Sequence, residues 1–200
     1  MSRSIIYRQV WLYRLVMMLL YRGSYNARFE RVCALLRDED SSVLELCFGD
    51  VAIAEFCRQN SKAWVGMDVS EAFVAFAARR GFDARRQDVQ STEVFPACDV
   101  CIVMGSLYHF EAQLSALFGR IKRASSRMII SEPVRNWTQA RGVRGFLARK
   151  LTGVGAREER FRFDEASLVR TLDALRDEVG FTYRIVDVSR DMIVEVVWSS

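Results

Sequence analysis

The sequence predicts an α/β domain organised on a mostly parallel sheet, and three observations lead there. From residue 43 onward short apolar runs alternate with amphipathic ones, the pattern of strands joined by crossover helices. The last two apolar runs are separated only by Arg190-Asp191. A gap that short joins antiparallel strands, because a parallel crossover takes about a dozen residues or more. The composition is that of a packed chain: of 200 residues half are hydrophobic, 12% are aromatic and only two are proline, which excludes disordered and collagen-like classes. This length makes one domain with a sizeable core.

Taken in order, VLELC (43–47) reads as a buried first strand, Gly49-Asp50 as its turn and 51–59 as a helix. WVGMDV (64–69) is the second strand, followed by a helix that Ser70 caps and that carries Glu71 in its first turn. DARRQDV (83–89) is a third, more polar strand, as expected near a sheet edge. DVCIVMGSL (99–107) reads as fully buried and precedes a helix over 111–124. RMIISEP (127–133) is the fifth strand, stopped by Pro133. A basic segment and a helix over 164–178 lead to the closing pair, FTYRIVDVS (181–189) and MIVEVVWS (192–199).

The net charge of +4 conceals an uneven split. Residues 1–31 carry +5 and residues 134–163 carry +6, which leaves −7 on the rest. An acidic body with two basic attachments points to an anionic partner or surface. The first attachment contains IIYRQVWLYRLVMMLLY (5–21), which Arg8, Gln9 and Arg14 interrupt too often for a bilayer span. It has no small-residue cleavage site of a signal peptide. Arg3, Arg8, Arg14 and Arg22 gather on one side of a helix and leave a broad apolar face. That face either packs on the domain or lies in a membrane surface with Tyr7, Trp11, Tyr13 and Tyr21 at headgroup level.

The second attachment interleaves Arg135, Arg141, Arg144, Arg149, Lys150, Arg157, Arg160 and Arg162 with Trp137, Phe146, Leu147, Leu151, Phe161 and Phe163. It is too long for a plain connection. A solvated loop is the plain reading, and a lid over an anionic, partly greasy ligand is the functional one. We therefore divide the chain into a helical cap over 1–40 and a main domain over 41–200, with a basic lid over 134–163.

Five cysteines are an odd number and follow no signal peptide, so a reduced, cytoplasmic location is expected, with contact at the inner membrane face as the extension of the amphipathic-helix reading. Cys98 and Cys101 lie three apart in a strand-like run, which places them on opposite faces. One such pair is too little for structural zinc, and no metal is expected.

In an open parallel sheet ligands bind outside the carboxyl ends of the strands. Those ends carry Glu45-Leu46-Cys47-Phe48-Gly49-Asp50, then Asp68-Val69, Gln87-Asp88-Val89, Met104-Gly105-Ser106-Leu107-Tyr108-His109, and Glu132. Gly49 lets a ligand approach the backbone, and Asp68, 19 residues on, is placed to take ribose hydroxyls. Glu45, Asp68 and Asp88 close three consecutive strands. Such an anionic rim suits a ligand with ammonium or sulfonium charge and repels a bare pyrophosphate. His109 is the single histidine and a candidate general base, with a purely structural role as the alternative. Tyr108 and Glu132 stand at neighbouring strand ends, placed to orient or deprotonate a second ligand. Tyr25 and Arg28 precede the body and close over the site, or else belong to a helix surface.

With these residues in view, the chain resembles the class I S-adenosylmethionine-dependent methyltransferases, of the type 11/25 kind, over about residues 40–133 with the closing hairpin in support. ELCFGDV matches the family's first motif in part: Glu45 takes the acidic place and Gly49 the middle glycine, while Cys47 and Val51 replace the other two. The resemblance implies a seven-stranded Rossmann-like sheet in the order 3-2-1-4-5-7-6 and S-adenosyl-L-methionine as cofactor. It places Cys47, Gly49 and Asp50 in the cofactor turn, Asp68 on the ribose and Val69 beside the adenine. Asp88 then meets the adenine amino group with Val89 against its face, and Met104 and Gly105 lie under the methionine portion. Arg28 falls to the cofactor carboxylate.

SLYHF followed by a strand ending in EPVRN is similar to methyltransferases of lipid-linked or glycan-like acceptors, which assigns Tyr25, Tyr108, Glu132 and Arg135 to the acceptor. The implied reaction is methyl transfer to an oxygen or nitrogen nucleophile of a small-molecule or lipid- or glycan-linked acceptor, with His109 as base. Three rivals stand beside it. A non-catalytic relative would use the altered glycine turn for binding alone. An NAD-dependent oxidoreductase would need GxGxxG spacing, which ELCFGDV lacks. An RNA methyltransferase would use the basic, aromatic segment as its grip. The chain has neither an Asn-Pro-Pro-Tyr-like end to its fourth strand nor a Pro-Cys nucleophile dipeptide, which weakens a nucleic-acid target.

Overall fold

In the computed structural model residues 25–135 and 161–199 are described, so the stretch 5–21 and all but the margins of the basic segment 134–163 lie outside the described residues. In chain order the elements are α1 (Tyr25–Cys33), β1 (Ser42–Leu46), α2 (Ala52–Gln59), β2 (Ala63–Asp68), α3 (Glu71–Ala78) and β3 (Asp83–Arg86). They continue with β4 (Cys98–Met104), a 3-10 turn (Leu107–Gln113), α4 (Leu114–Ala124), β5 (Ser125–Pro133), α5 (Glu165–Val179), β6 (Phe181–Val188) and β7 (Asp191–Trp198). The strands form one sheet in the order β3-β2-β1-β4-β5-β7-β6. The first five run parallel, and β7 lies antiparallel between β5 and β6, as the two-residue gap requires.

The central strands are apolar on both faces because helices cover both. Along β4, Cys101 and Val103 join Leu117, Phe118 and Ile121 of α4 and Leu168 and Leu172 of α5. Val100 and Ile102 face the other way, toward Phe29 and Val32 of α1, Ile53 of α2 and Phe73 of α3. The helix α1 is therefore part of the domain core. Helix α5 begins at a reciprocal cap between Asp164 and Ser167 and ends at Gly180, whose φ of 77° no other residue type adopts cheaply. Cys98 is the first residue of β4 and, against expectation, packs on the same cluster as Cys101, because the strand's end escapes the alternation that holds in its interior.

Two polar devices lock the amino-terminal edge of the sheet. The Asp99 carboxylate accepts hydrogen bonds from the backbone N–H and hydroxyl of both Ser41 and Ser42 at 2.7–2.9 Å, which fixes β1 against β4. These bonds, those of Ser41 first, hold the Asp99 pKa down to about 2. Nearby, the buried Arg127 guanidinium joins Asp40 and Glu195, and Glu195 also takes Arg37 at 3.0 Å and Arg184 at 2.6 Å. Burial alone would raise the Glu195 carboxyl, but Arg184, then Arg127 and Arg37, outweigh it and lower its pKa.

Removing the shared cation takes the guanidinium from the buried Asp40 and leaves Glu195 to Arg37 and Arg184 alone. Arg127→Met is expected to cost about 3–5 kcal/mol, read as a lower urea midpoint. Because the folded state holds Glu195 below its ordinary 4.5, that contribution is present above this pH and is lost as pH falls further, so the gap to the parent should narrow in acid.

Candidate active site

The turn from β1 into α2 sets the geometry of the carboxyl edge. The Cys47 N–H donates to the Met67 carbonyl at 2.7 Å, which extends the β1–β2 ladder by one residue. Cys47 then takes φ 56° and Gly49 takes φ 55°. The cysteine in the first glycine place thus adopts the left-handed backbone a glycine would hold, at a cost of about 1–3 kcal/mol. Asp50 closes the turn: its carboxylate accepts the Tyr25 hydroxyl at 3.0 Å and the Val51 N–H at 2.7 Å. Val51, in the third glycine place, has φ −100° and is wholly buried in the core with α1 and α2, so glycine is not needed there. The Cys47 thiol is pushed up to about 12, chiefly by burial and next by Asp68, and stays protonated. The buried Ser106 hydroxyl beside it pulls the other way through a hydrogen bond to the thiol.

The three carboxylates predicted to share a rim divide between two levels. Asp68 ends β2 and is held by a bond from the Ser70 N–H to its Oδ1 at 2.7 Å. Ser70 occupies the cap position of α3 but makes no side-chain cap bond, so Asp68 supplies the local anchor expected of Ser70. The Gln87 N–H donates to the Asp68 carbonyl at 3.1 Å and carries the next loop alongside. There β3 ends at Arg86, three residues earlier than expected, because Asp88 folds into a turn, accepting the Gln90 N–H at 2.9 Å. Asp88 is exposed, Val89 is buried, and Val69 stands 46% exposed beside Asp68.

Glu45, one residue before the end of β1, differs from the other two in depth. It is fully buried beneath the turn, where its Oε2 accepts the Trp64 indole N–H at 3.0 Å and its Oε1 has no partner. Burial, reinforced by Asp50 and Asp68 against the pull of the Trp64 bond, raises its pKa well above 4.5 and so favours the protonated form. The Trp64 ring reaches Glu45 by lying across Gly66, where a Cβ would fall 2.1 Å from the ring.

A second constellation forms where β4, β5 and β7 meet. β4 ends at Met104, which is buried, because Gly105 turns the chain at φ 62° into the 3-10 turn, with its N–H on the Ser131 carbonyl at 2.7 Å. Arg28 crosses from α1 into this space: its Nε is 3.3 Å from Asp191, and its Nη2 lies 3.1 Å from where a Gly105 Cβ would be. Glu132, 1% exposed, accepts the Leu107 N–H on Oε2 at 3.0 Å, and its Oε1 has no partner. Burial pushes its pKa up to about 8, against the pull of the Leu107 N–H, Arg162 and Arg28. The Arg162 guanidinium sits 3.4 Å above the Tyr108 ring, which lies 3.9 Å from the His109 ring. His109 is on the outer side of the turn, and partial desolvation of its ring, then the Arg162 charge, lower its pKa to about 4, so it is neutral at physiological pH.

Of the predicted residues, Tyr25, Arg28, Cys47, Gly49, Asp50, Asp68, Val69, Asp88, Val89, Met104, Gly105, Tyr108, His109 and Glu132 all lie at or beside this edge of the sheet. Arg135 follows β5 at the same end of the sheet, exposed, with its guanidinium in an ion pair with Glu165 at 2.8 Å. Sequence reasoning missed Asp191, which pairs with Pro133 in the ladder and takes the Arg28 charge. The signal was available: an antiparallel β7 brings its first residue to the last residue of β5. It also placed Arg162 in a lid rather than on Tyr108, and did not single out Ser106. Among the described residues no cluster of metal-ligating side chains occurs, and no helix is long and apolar enough to cross a membrane.

No protein-family model matches the chain, and no curated protein matches it in sequence. Solved structures do match. A plantazolicin methyltransferase in complex with SAH superposes with a TM-score of 0.69 at 12% identity, over 94% of this chain and 90% of that one. The magnesium protoporphyrin IX methyltransferase of Synechocystis PCC 6803 with bound SAM gives 0.64 at 16% identity, over 92% and 84%. Mitomycin 7-O-methyltransferase gives 0.61 at 14% identity over 88% of this chain, which spans only 55% of that enzyme. At such identities the likeness establishes the fold, which is that of the class I S-adenosylmethionine-dependent methyltransferases.

Two measurements check this geometry. Cys47→Gly relieves the left-handed strain and should leave the urea midpoint unchanged or raised, whereas Cys47→Val, β-branched at a positive φ, should cost about 1–3 kcal/mol. Glu132 ionises near 4.5 when unfolded and near 8 when folded, so unfolding releases a proton between these values and stability falls as pH rises across them. Glu132→Gln should therefore gain on the parent from pH 5 to pH 8 in parallel urea titrations.

Proposed function

We propose that the chain transfers a methyl group from S-adenosyl-L-methionine to an oxygen or nitrogen nucleophile of a small-molecule or lipid- or glycan-linked acceptor. The observation that carries this reading is the turn after β1, where Cys47 and Gly49 both take left-handed backbone beside Asp68. The residues present fit the cofactor. The turn from Cys47 to Asp50 keeps a glycine-loop path without its outer glycines, and Val51 packs into the core. Asp68 would take the ribose, Val69 and Val89 the two sides of the adenine, and Asp88 its amino group. Met104 and Gly105 would lie under the methionine portion, with Arg28 on its carboxylate. When bound, the cofactor supplies a sulfonium-activated methyl group.

The chain's own residues then align, desolvate and deprotonate. Tyr108 and the 3-10 turn would place the acceptor beyond β4, next to the buried Glu132. His109, neutral at physiological pH, has the protonation state needed to accept a proton from an acceptor hydroxyl or amine. Glu132, protonated under the same conditions, can donate a hydrogen bond to the acceptor from its buried carboxyl. The left-handed backbone at Cys47 supports the catalytic reading over a non-catalytic relative with an altered glycine turn.

Calorimetry with S-adenosylmethionine tests the reading directly. Binding is expected, and Asp68→Ala should weaken it about 10–100-fold through loss of hydrogen bonds to a charged group. Mass spectrometry of cell extract incubated with methyl-labelled donor should show a labelled product, and His109→Ala should slow its formation about 10²–10⁴-fold with cofactor affinity retained. A folded protein that takes up no cofactor sinks the proposal.

A further inference from the structure

The connection from β3 to β4, residues 87–97, contains no helix, although a crossover between parallel strands usually carries one. Its backbone groups therefore lack helical partners and must find others. Three of its carbonyls, those of Val89, Gln90 and Thr92, converge on one nitrogen, Nη1 of Arg120 in α4, the first two at 3.0 and 3.3 Å. The head of Arg120 is held in turn: its Nε donates to the Ala116 carbonyl at 3.4 Å, and its guanidinium carbon lies 5.3 Å from the centre of the Phe95 ring. Phe95 and Val89 belong to the same buried cluster as Leu117 and Ile121 of α4. Inside the loop the Asp88 carbonyl accepts the Thr92 N–H at 3.0 Å and the Thr92 hydroxyl at 2.8 Å, so the turn that carries Asp88 closes on a residue that Arg120 grips. Gln90 Nε2 donates to the His109 carbonyl at 3.2 Å and ties the same turn to the 3-10 turn.

We propose that Arg120 is a positioning residue for the cofactor: from α4 it holds residues 88–92 so that Asp88 meets the adenine amino group and Val89 lies against the ring. The proposal rests on the methyl-transfer reading, which assigns Asp88 and Val89 to adenine. Asp88 is exposed, and its carboxylate accepts the N–H of Gln90 within its own turn, so where it stands follows the backbone of that turn. That backbone is anchored in its turn by a charge-assisted bond set from a helix whose Leu117, Phe118 and Ile121 are fully buried. A lysine at position 120 would supply the charge from a flexible stem but not the fixed planar head.

The test is base discrimination, which a purely structural arginine would not alter. S-adenosylhomocysteine and S-inosylhomocysteine, whose base presents an oxygen where adenine presents its amino group, are titrated by calorimetry into the full chain. The parent should prefer the adenosyl ligand about tenfold or more, the worth of one hydrogen bond to a charged group. Arg120→Met should bring the two affinities within about twofold of each other, and Arg120→Lys should recover part of the preference. Arg123→Met, exposed on the same helix, should leave the preference at the parent's value. Circular dichroism establishes that each variant is folded; should Arg120→Met not fold, Arg120→Lys is compared with the parent, and an unchanged preference overturns the proposal. A preference that survives in folded Arg120→Met, an equal loss in Arg123→Met, or a parent that binds both ligands alike also overturns it. A parent that binds neither ligand overturns the methyl-transfer reading, and the role of Arg120 falls with it.

Discussion

A chain leaving β1 has four residues, Cys47 to Asp50, in which to reverse into α2, and it manages this because two of them adopt the left-handed backbone. The rest of the carboxyl edge is placed relative to that turn. Its first N–H is bound to β2, so the turn and Asp68 are neighbours by hydrogen bonding. Its last residue, Asp50, is bound to Tyr25, so α1 is pinned to the turn as well. One helical turn further on, Arg28 reaches Asp191 and the space above Gly105. The two halves of the edge, one by β1 and β2 and the other by β4, β5 and β7, are thereby joined through α1. A change in the turn would be felt on both sides.

Buried acids complicate the electrostatics of this edge. Glu45 and Glu132 each spend one oxygen on a hydrogen bond and hold the other without a partner. An ionised carboxylate in that position would cost several kcal/mol, so burial favours the protonated form of both. The field along the edge therefore comes from Asp68 and Asp88 on one side and from Arg28, Asp191 and Arg162 on the other. A positively charged ligand would settle toward β2 and β3 and a negatively charged one toward Arg162, a polarity that a rim of three equal carboxylates would not provide.

The order and type of the elements were legible because each rests on a pattern that tertiary context rarely overturns. The two-residue gap at Arg190-Asp191 forces antiparallel pairing, and the repeat of apolar runs with helices forces the parallel body. Strand ends were less legible. Whether β4 stops at Met104 or Leu107 depends on one backbone angle at Gly105, and β3 stops early because Asp88 bonds to its own loop. The depth of Glu45 was half legible: strand alternation places it on the face of Val43, but only the packing of α1 and Trp64 shows that this face is sealed. The Asp68 anchor was hidden because two good capping residues lie two apart, and sequence alone does not say which one bonds. Arg162 was hidden for a different reason. Nothing local in a run of arginines and phenylalanines marks the single residue that stacks on a distant tyrosine.

The two ends of the sheet are built by opposite rules. At the amino-terminal edge polar groups are densely satisfied: Asp99 takes four hydrogen bonds, and Arg127 and Glu195 sit within a cluster of opposite charges. At the carboxyl edge Cys47 is strained, and Glu45 and Glu132 each keep a buried oxygen unbonded. Neither edge is pure, since Arg127 Nε is also unbonded and Ser61, in the turn after α2, is strained as well. The contrast in number and position is nonetheless clear. A fold selected for stability alone would relax these features, because a glycine at position 47 and an amide at position 132 are small changes. Their retention at one edge, where three successive parallel strands and the antiparallel hairpin converge, has a physical explanation if that edge is finished by a ligand. An unbonded oxygen is then a reserved position, and the left-handed turn is the backbone path that leaves space for the molecule that fills it.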